Sequence, residues 1–222
     1  MSDINDDYFL LIKNHEEMNE GEDYVCLVPS MEALRNKEAL YDGTWDGRPV
    51  EFMLCAADMD KAHRHKEKLD DDFILSPTMG LIIADRHREF FMTEGNQDDF
   101  NFHQAIITFP EKEQEHKMFE GFWLIPKPYR DISWMDLDKS EIWYDEKNSK
   151  MIEEFDTCFV SHHLKDIELK ERLMFVVETP PGVLFFPIVH KRIADYIMSF
   201  NPKQVRCASL SEIAEDPSLK YQ

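Results

Sequence analysis

The run Phe73-Ile74-Leu75-Ser76-Pro77-Thr78-Met79-Gly80-Leu81-Ile82-Ile83 decides the fold class. Two short apolar runs flank a turn rich in Ser, Pro and Gly, the pattern of two strands and a tight connection rather than of one helix. A polar helix start with Phe90-Phe91 follows, and then another apolar segment from Phe102 to Phe109. A second stretch repeats the pattern: Phe175-Val-Val, the turn Thr179-Pro180-Pro181-Gly182, Val183-Leu-Phe-Phe186, an amphipathic helix from His190 to Met198, and Val205 to Leu210. The match is one of pattern alone, and duplication and coincidence both produce such matches.

Outward from these stretches, Tyr8 to Ile12 and Gly121 to Pro126 read as strands, and Val50 to Ala56 reads as a buried strand. Ser30 is placed to cap a helix over residues 31–40, with Met31, Ala33 and Leu34 facing inward. Asp42-Gly43 and Asp46-Gly47 bracket a turn around Trp45, and Ser161-His162-His163 starts a short helix. Mixed helix and strand signals give an α+β class, with mixed or antiparallel sheets and a few packed helices. Two similar β-rich halves are expected, an acidic 1–110 and a 111–222; the absence of a Gly/Ser-rich linker also fits one continuous domain.

Charge narrows the function. The chain of 222 residues carries 45 acidic against 25 basic side chains, a formal net charge of −20, yet 43% of it is hydrophobic. That apolar content builds a core, so the acids belong to a folded surface and not to a disordered tail. Residues 1–110 hold 24 acids and 10 bases, the more acidic half. Such a field repels nucleic acid and steers basic partners toward the surface. The apolar runs fall short of the roughly 18 residues that a membrane span needs, and the acidic N-terminus lacks the pattern of a secretory signal. Cys26, Cys55, Cys158 and Cys207 form no C-x-x-C pair and read as reduced core residues. A cytoplasmic protein is expected.

Catalytic and cofactor motifs are missing. His63, His65, His162 and His163 do not have the spacing of zinc ligands, and the cationic neighbours of the first two favour a solvated segment. Ser161-His162 are adjacent in sequence, which does not make a dyad, and no G-x-S-x-G elbow occurs; Cys158 lies in an apolar run. Neither a G-x-G-x-x-G nor a Walker loop is present among only seven glycines. No cofactor, metal or catalytic residue is expected.

The second half resembles the Imm11 (DUF1629) immunity proteins of bacterial polymorphic toxin systems. The resemblance rests on Phe122-Trp-Leu-Ile-Pro126, on Ile132-Ser-Trp-Met-Asp136-Leu-Asp138-Lys-Ser140-Glu-Ile142, on Ile152-Glu-Glu-Phe155-Asp156, and on Val183-Leu-Phe-Phe186 leading into the helix that ends near Met198. It implies no catalysis but a stoichiometric complex with a toxin effector, such as a nuclease or another enzyme with a basic cleft. A second copy of the chain is another candidate partner. The rival readings are an enzyme that reverses a toxin's modification, and a non-enzymatic adaptor or scaffold.

The acids of exposed loops and the Trp45 turn are the candidate contact residues: Glu20, Glu22, Asp23, Trp45, Asp70, Asp71, Asp72, Asp98 and Asp99. Asp136, Asp138 and Ser140 read instead as side chains that bond nearby backbone and hold a turn.

Overall fold

The computed structural model describes residues 3–14, 26–55, 72–76, 78–95, 100–110, 116–126, 128–144, 152–179, 183–184 and 186–217. It is an α+β fold with mixed sheets, and the chain divides into two compact units. One unit gathers Met1–Lys13, Pro128–Ser199 and Arg206–Gln222; the other gathers Asn14–Lys127 and Phe200–Val205. The division expected near residue 110 falls instead between two strands that pair with each other.

The Asn14–Lys127 unit is built on one six-stranded sheet. Its strands are β2 (Cys26–Pro29), β3 (Val50–Cys55), β4 (Phe73–Ser76), β5 (Gly80–Ala84), β6 (His103–Pro110) and β7 (His116–Pro126), in the order β2-β3-β6-β7-β5-β4. The β3–β6 pair is parallel and the others are antiparallel. Strand periodicity sends Val50, Phe52 and Leu54 to one face, where they pack with Leu27, Ala105, Ile107, Phe122, Leu124 and Ile82. Full burial of each of these side chains except that of Ala105 contributes about 1.5–3 kcal/mol. β3 is therefore buried on one face only, because Glu51 and Met53 point out.

Two short helices, α1 (Met31–Arg35) and α2 (Lys37–Tyr41), cover that inner face in place of the single helix expected. The Ser30 hydroxyl accepts the Ala33 N–H at 3.2 Å, as a cap should. Asn36 leaves helical geometry at φ −113°, ψ 24°, and turns the chain between the two pieces. Ala33 and Leu40 are buried and Leu34 is partly so, but Met31 is 63% exposed and not inward. His103 ties β6 to α2, its Nε2–H donating to the Leu40 carbonyl at 2.9 Å.

In the other unit, β1 (Tyr8–Lys13), β11 (Met174–Thr179), β12 (Val183–Leu184), β13 (Ile188–His190) and β14 (Val205–Ser209) follow the order β12-β11-β13-β1-β14. β8 (Tyr129–Arg130) adds to β11 in parallel. A separate ribbon pairs β9 (Glu141–Tyr144) with β10 (Ile152–Thr157). The core collects Tyr8, Leu10, Ile12, Trp134, Phe175, Val177 and Ile188 with Leu210 and Ile213 of α5 (Leu210–Glu215). α5 opens with a reciprocal capping box between Ser209 and Glu212. α4 (Lys191–Met198) buries Ile193, Ala194 and Ile197, and a short 3-10 turn occupies His162–Asp166.

The repeated pattern takes a different strand order in the two units. In one, strand–turn–strand–helix–strand is β4, β5, α3 (Arg88–Glu94), β6, with β7 inserted between β5 and β6. In the other it is β11, β12, α4, β14, but β12 lies at the sheet edge on the far side of β11, and β13 and β1 stand between β11 and β14.

The acidic element Asp136 to Ser140 is a structural turn. The Ser140 hydroxyl donates to the Asp136 carbonyl at 2.7 Å and accepts the Phe159 N–H at 3.0 Å. Asp136 N–H donates to the Phe159 carbonyl at 2.8 Å, which fixes this turn to the chain leaving β10. Ser140→Ala strands the Phe159 N–H and is expected to cost about 1–3 kcal/mol in denaturant unfolding, with Ser140→Thr nearer wild type.

Candidate interaction surface

Of the acids expected to form a contact face, Glu20, Glu22, Asp23, Asp70, Asp71, Asp98 and Asp99 lie outside the described residues, as do His63 and His65. Trp45 and Asp72 are described, and both are engaged internally. Trp45 is half-buried against the inner core; its indole N–H donates to the Arg48 carbonyl at 2.7 Å and its own backbone N–H to Ala39 at 2.9 Å. Arg48, 5.5 Å from the ring centroid, is itself paired with Glu32 and Asp46. The Asp72 side chain is only 14% exposed and is paired with Arg86 and with His87 Nε2. The strands that these two residues precede, β3 and β4, have three others between them. The pair does not make one face.

What the sheet does assemble is an apolar row on its outer side. Register sets Val28 beside Met53, Met53 beside Thr108, and Thr108 beside Met118, so four adjacent strands each contribute one side chain. Val28 is 36% exposed, Met53 49% and Met118 53%. At about 4.8 Å between strands the row is about 14 Å long. One step along the strands lies a second row, Glu51 opposite a half-buried Ile106, with the exposed Glu120 in the adjoining β7. β7 carries a bulge here, where Gly121 adopts φ +89°. A bulge of this kind re-aims the residues around it. The next row, Gln104 opposite Trp123, leads to the half-buried end of the face.

Sequence reasoning missed this face because its members are spread from residue 28 to residue 118 and only register brings them together. The sole sequence signal was the alternation Glu51-Phe52-Met53-Leu54, in which a methionine takes an outward slot. In the other unit, Trp143 stands 60% exposed on β9 while Ile142 packs inward.

His163 Nδ1 lies 2.8 Å from Ser161 Oγ, whereas His162, the sequence neighbour, makes no such contact with it. Both residues of that pair sit at the start of the 3-10 turn, two residues apart. Cys158 is a buried thiol, and burial pushes the Cys207 thiol up to about 12, which disfavours the nucleophilic thiolate. Among the described residues, no three His, Cys, Asp or Glu converge as a metal site. Among them, too, no helix is long and apolar enough to cross a membrane.

Burial, first of all, lowers the affinity of His103 for a proton, and burial with the nearby Arg172 does so at His190. A histidine kept neutral in the fold but free to charge when unfolded makes the unfolded state bind more protons below its ordinary value of 6.5. Stability is then complete above that value and falls as pH drops below it. The urea midpoint is expected to decline between about pH 7.5 and about pH 5.5, above the carboxylate range, and His103→Asn should flatten the decline.

No protein-family model matches this chain, and no curated protein matches it.

Proposed function

We propose that this chain is an immunity protein that neutralises a cognate toxin enzyme by stoichiometric binding, with the outer face of β2-β3-β6-β7 at the centre of the complex. The observation that carries the reading is the row of exposed Val28, Met53 and Met118 with half-buried Thr108 on a chain of net charge −20. Exposed methyl and thioether groups in register across four strands make an adaptable apolar centre, and Glu51 and Glu120 make an acidic rim. Charge selects the occupant. A second copy would bring another −20 against the first, whereas a basic active-site cleft is attracted from a distance. The pattern resemblance of the second half to Imm11 proteins points the same way.

The mechanism is occlusion: the acidic field speeds encounter, the apolar centre slows release, and the toxin's substrate is excluded while the complex lasts. Co-expression with the product of the neighbouring gene tests it. The expected result is a one-to-one complex that loses toxin activity in proportion to the protein added, with association that slows as salt rises. Protection at catalytic ratios, or turnover of a toxin-modified substrate, would replace occlusion by an enzyme. A neighbouring gene whose product neither binds nor harms the cell would favour an adaptor.

A further inference from the structure

Register brings two of the chain's four cysteines together. On the paired strands β2 and β3, Cys26 stands opposite Cys55, two positions beyond Val28 and Met53. The alternation that sends Phe52 and Leu54 into the core places positions 26 and 55 on the outer face of the sheet, next to the exposed row. The Ser30 N–H donates to the Glu51 carbonyl at 2.9 Å, so the antiparallel ladder makes 28 with 53, and again 26 with 55, hydrogen-bonded positions whose Cα atoms lie about 5.5 Å apart. A disulfide needs Cα atoms about 4.4–6.8 Å apart, and this register supplies that spacing. Four cysteines in 222 residues make a chance pairing rare. The other two are placed elsewhere, Cys158 on the chain leaving β10 and Cys207 on β14.

We infer that Cys26 and Cys55 are a thiol–disulfide couple that closes across the two strands on meeting a small-molecule disulfide of the glutathione class. One cysteine thiolate attacks a sulfur of glutathione disulfide, the S–S bond of the oxidant breaks, and one glutathione thiolate leaves. The second cysteine, as its thiolate, attacks the protein sulfur of the mixed disulfide and expels the other glutathione. The protein has then lost two protons and two electrons, and the oxidant has taken up both as two glutathiones. The bond is of the reversible kind. Directly opposite Cβ atoms lie about 4.5–5.5 Å apart, at the far end of that range in a hydrogen-bonded pair, whereas a disulfide takes about 3.5–4.5 Å. Closure therefore draws the strands together, and the strain favours reopening. β2 is a four-residue strand at the edge of its sheet, and the closed couple ties that edge to β3. This inference does not rest on the immunity reading.

The test equilibrates the full folded chain at graded ratios of glutathione to glutathione disulfide, quenches it with acid, alkylates the remaining thiols in denaturant and maps the cross-links by peptide mass. The link between Cys26 and Cys55 is expected to exceed every other pairing at least about ten-fold, and to reopen when reduced glutathione is put in excess. Cys55→Ser combined with Met53→Cys keeps four thiols but moves one of them by a single outward position, to stand opposite Val28. Diagonal cross-strand neighbours lie about 7–8 Å apart, beyond the reach of a disulfide, so the link to Cys26 should fall at least about ten-fold. Met53 is 49% exposed, and an unfolding midpoint close to wild type shows that the displaced variant keeps the fold. Four alkylated thiols at every ratio, pairings spread evenly over the four cysteines, or a bond that excess glutathione leaves closed would overturn the proposal. So would an undiminished cross-link in the folded variant, which would trace the reaction to loose chain and not to register.

Discussion

Gly80→Ala is expected to remove more than about 4 kcal/mol of stability, so that the sheet of the Asn14–Lys127 unit fails to form or melts far below wild type. Gly80 opens β5 opposite Ser76 on one side and Pro126 on the other, with φ at +144°. A Cβ there would stand 2.1 Å from the Ile125 carbonyl oxygen and 3.0 Å from Pro126 Cα. Those are backbone atoms of the partner strand β7, so no side-chain rotation relieves the overlap. Either β5 separates from β7 or the 76–80 connection is remade, and both outcomes expose the Leu81, Ile82 and Ile83 cluster. Gly47→Ala is the control. Gly47 has φ +79° but nothing within 4 Å of an added Cβ, so only the left-handed backbone cost of about 1–2 kcal/mol applies. Denaturant unfolding of both variants reads the difference; a Gly80→Ala midpoint as close to wild type as that of Gly47→Ala would mean that the two strands do not approach as closely as described.

That glycine also shows what a sequence can and cannot carry. Ser76-Pro77-Thr78-Met79-Gly80 announces a turn through local chemistry, and the turn is where expected, with β4 and β5 paired around it. Asp136 and Ser140 were legible for the same reason, since short polar side chains bond the backbone beside them. Strand order is not local. β1 lies at the start of the chain yet sits between β13 and β14, and β7 sits between β5 and β6, so a cut at residue 110 separates strands that belong together. The two pattern-matched stretches were visible in sequence, but the different places their strands take in the two sheets were not. Faces were half legible: Val50 to Cys55 is apolar enough to suggest burial on both sides, and only the sheet tells that Met53 is outside. Acids fared worst, because with 45 of them abundance hides function. Asp72 is spent on Arg86 and His87, and Trp45 on the inner core, while the row from Val28 to Met118 has no signature within any one segment.

The second large effect is expected at that row. Met53→Lys combined with Met118→Lys should weaken the toxin complex at least a hundred-fold, about 3 kcal/mol, mostly through faster dissociation. Central apolar anchors carry most of the energy of an interface, and two buried ammonium groups facing a basic cleft add an unfavourable charge to the loss. The fold should not notice. Met53 and Met118 are 49% and 53% exposed, so the unfolding midpoint is expected to stay within about 0.5 kcal/mol of wild type per site. Rim substitutions behave differently: Glu51→Lys and Glu120→Lys should slow association and flatten its salt dependence while leaving the dissociation rate nearly unchanged. The contrast separates the docking face from the function. If the double lysine variant still neutralises the toxin one-to-one with wild-type affinity, the immunity reading stands and the complex forms elsewhere, with exposed Trp143 on β9 the next anchor to truncate. If affinity falls as stated while folding is intact, four side chains gathered only by register are the centre of the contact.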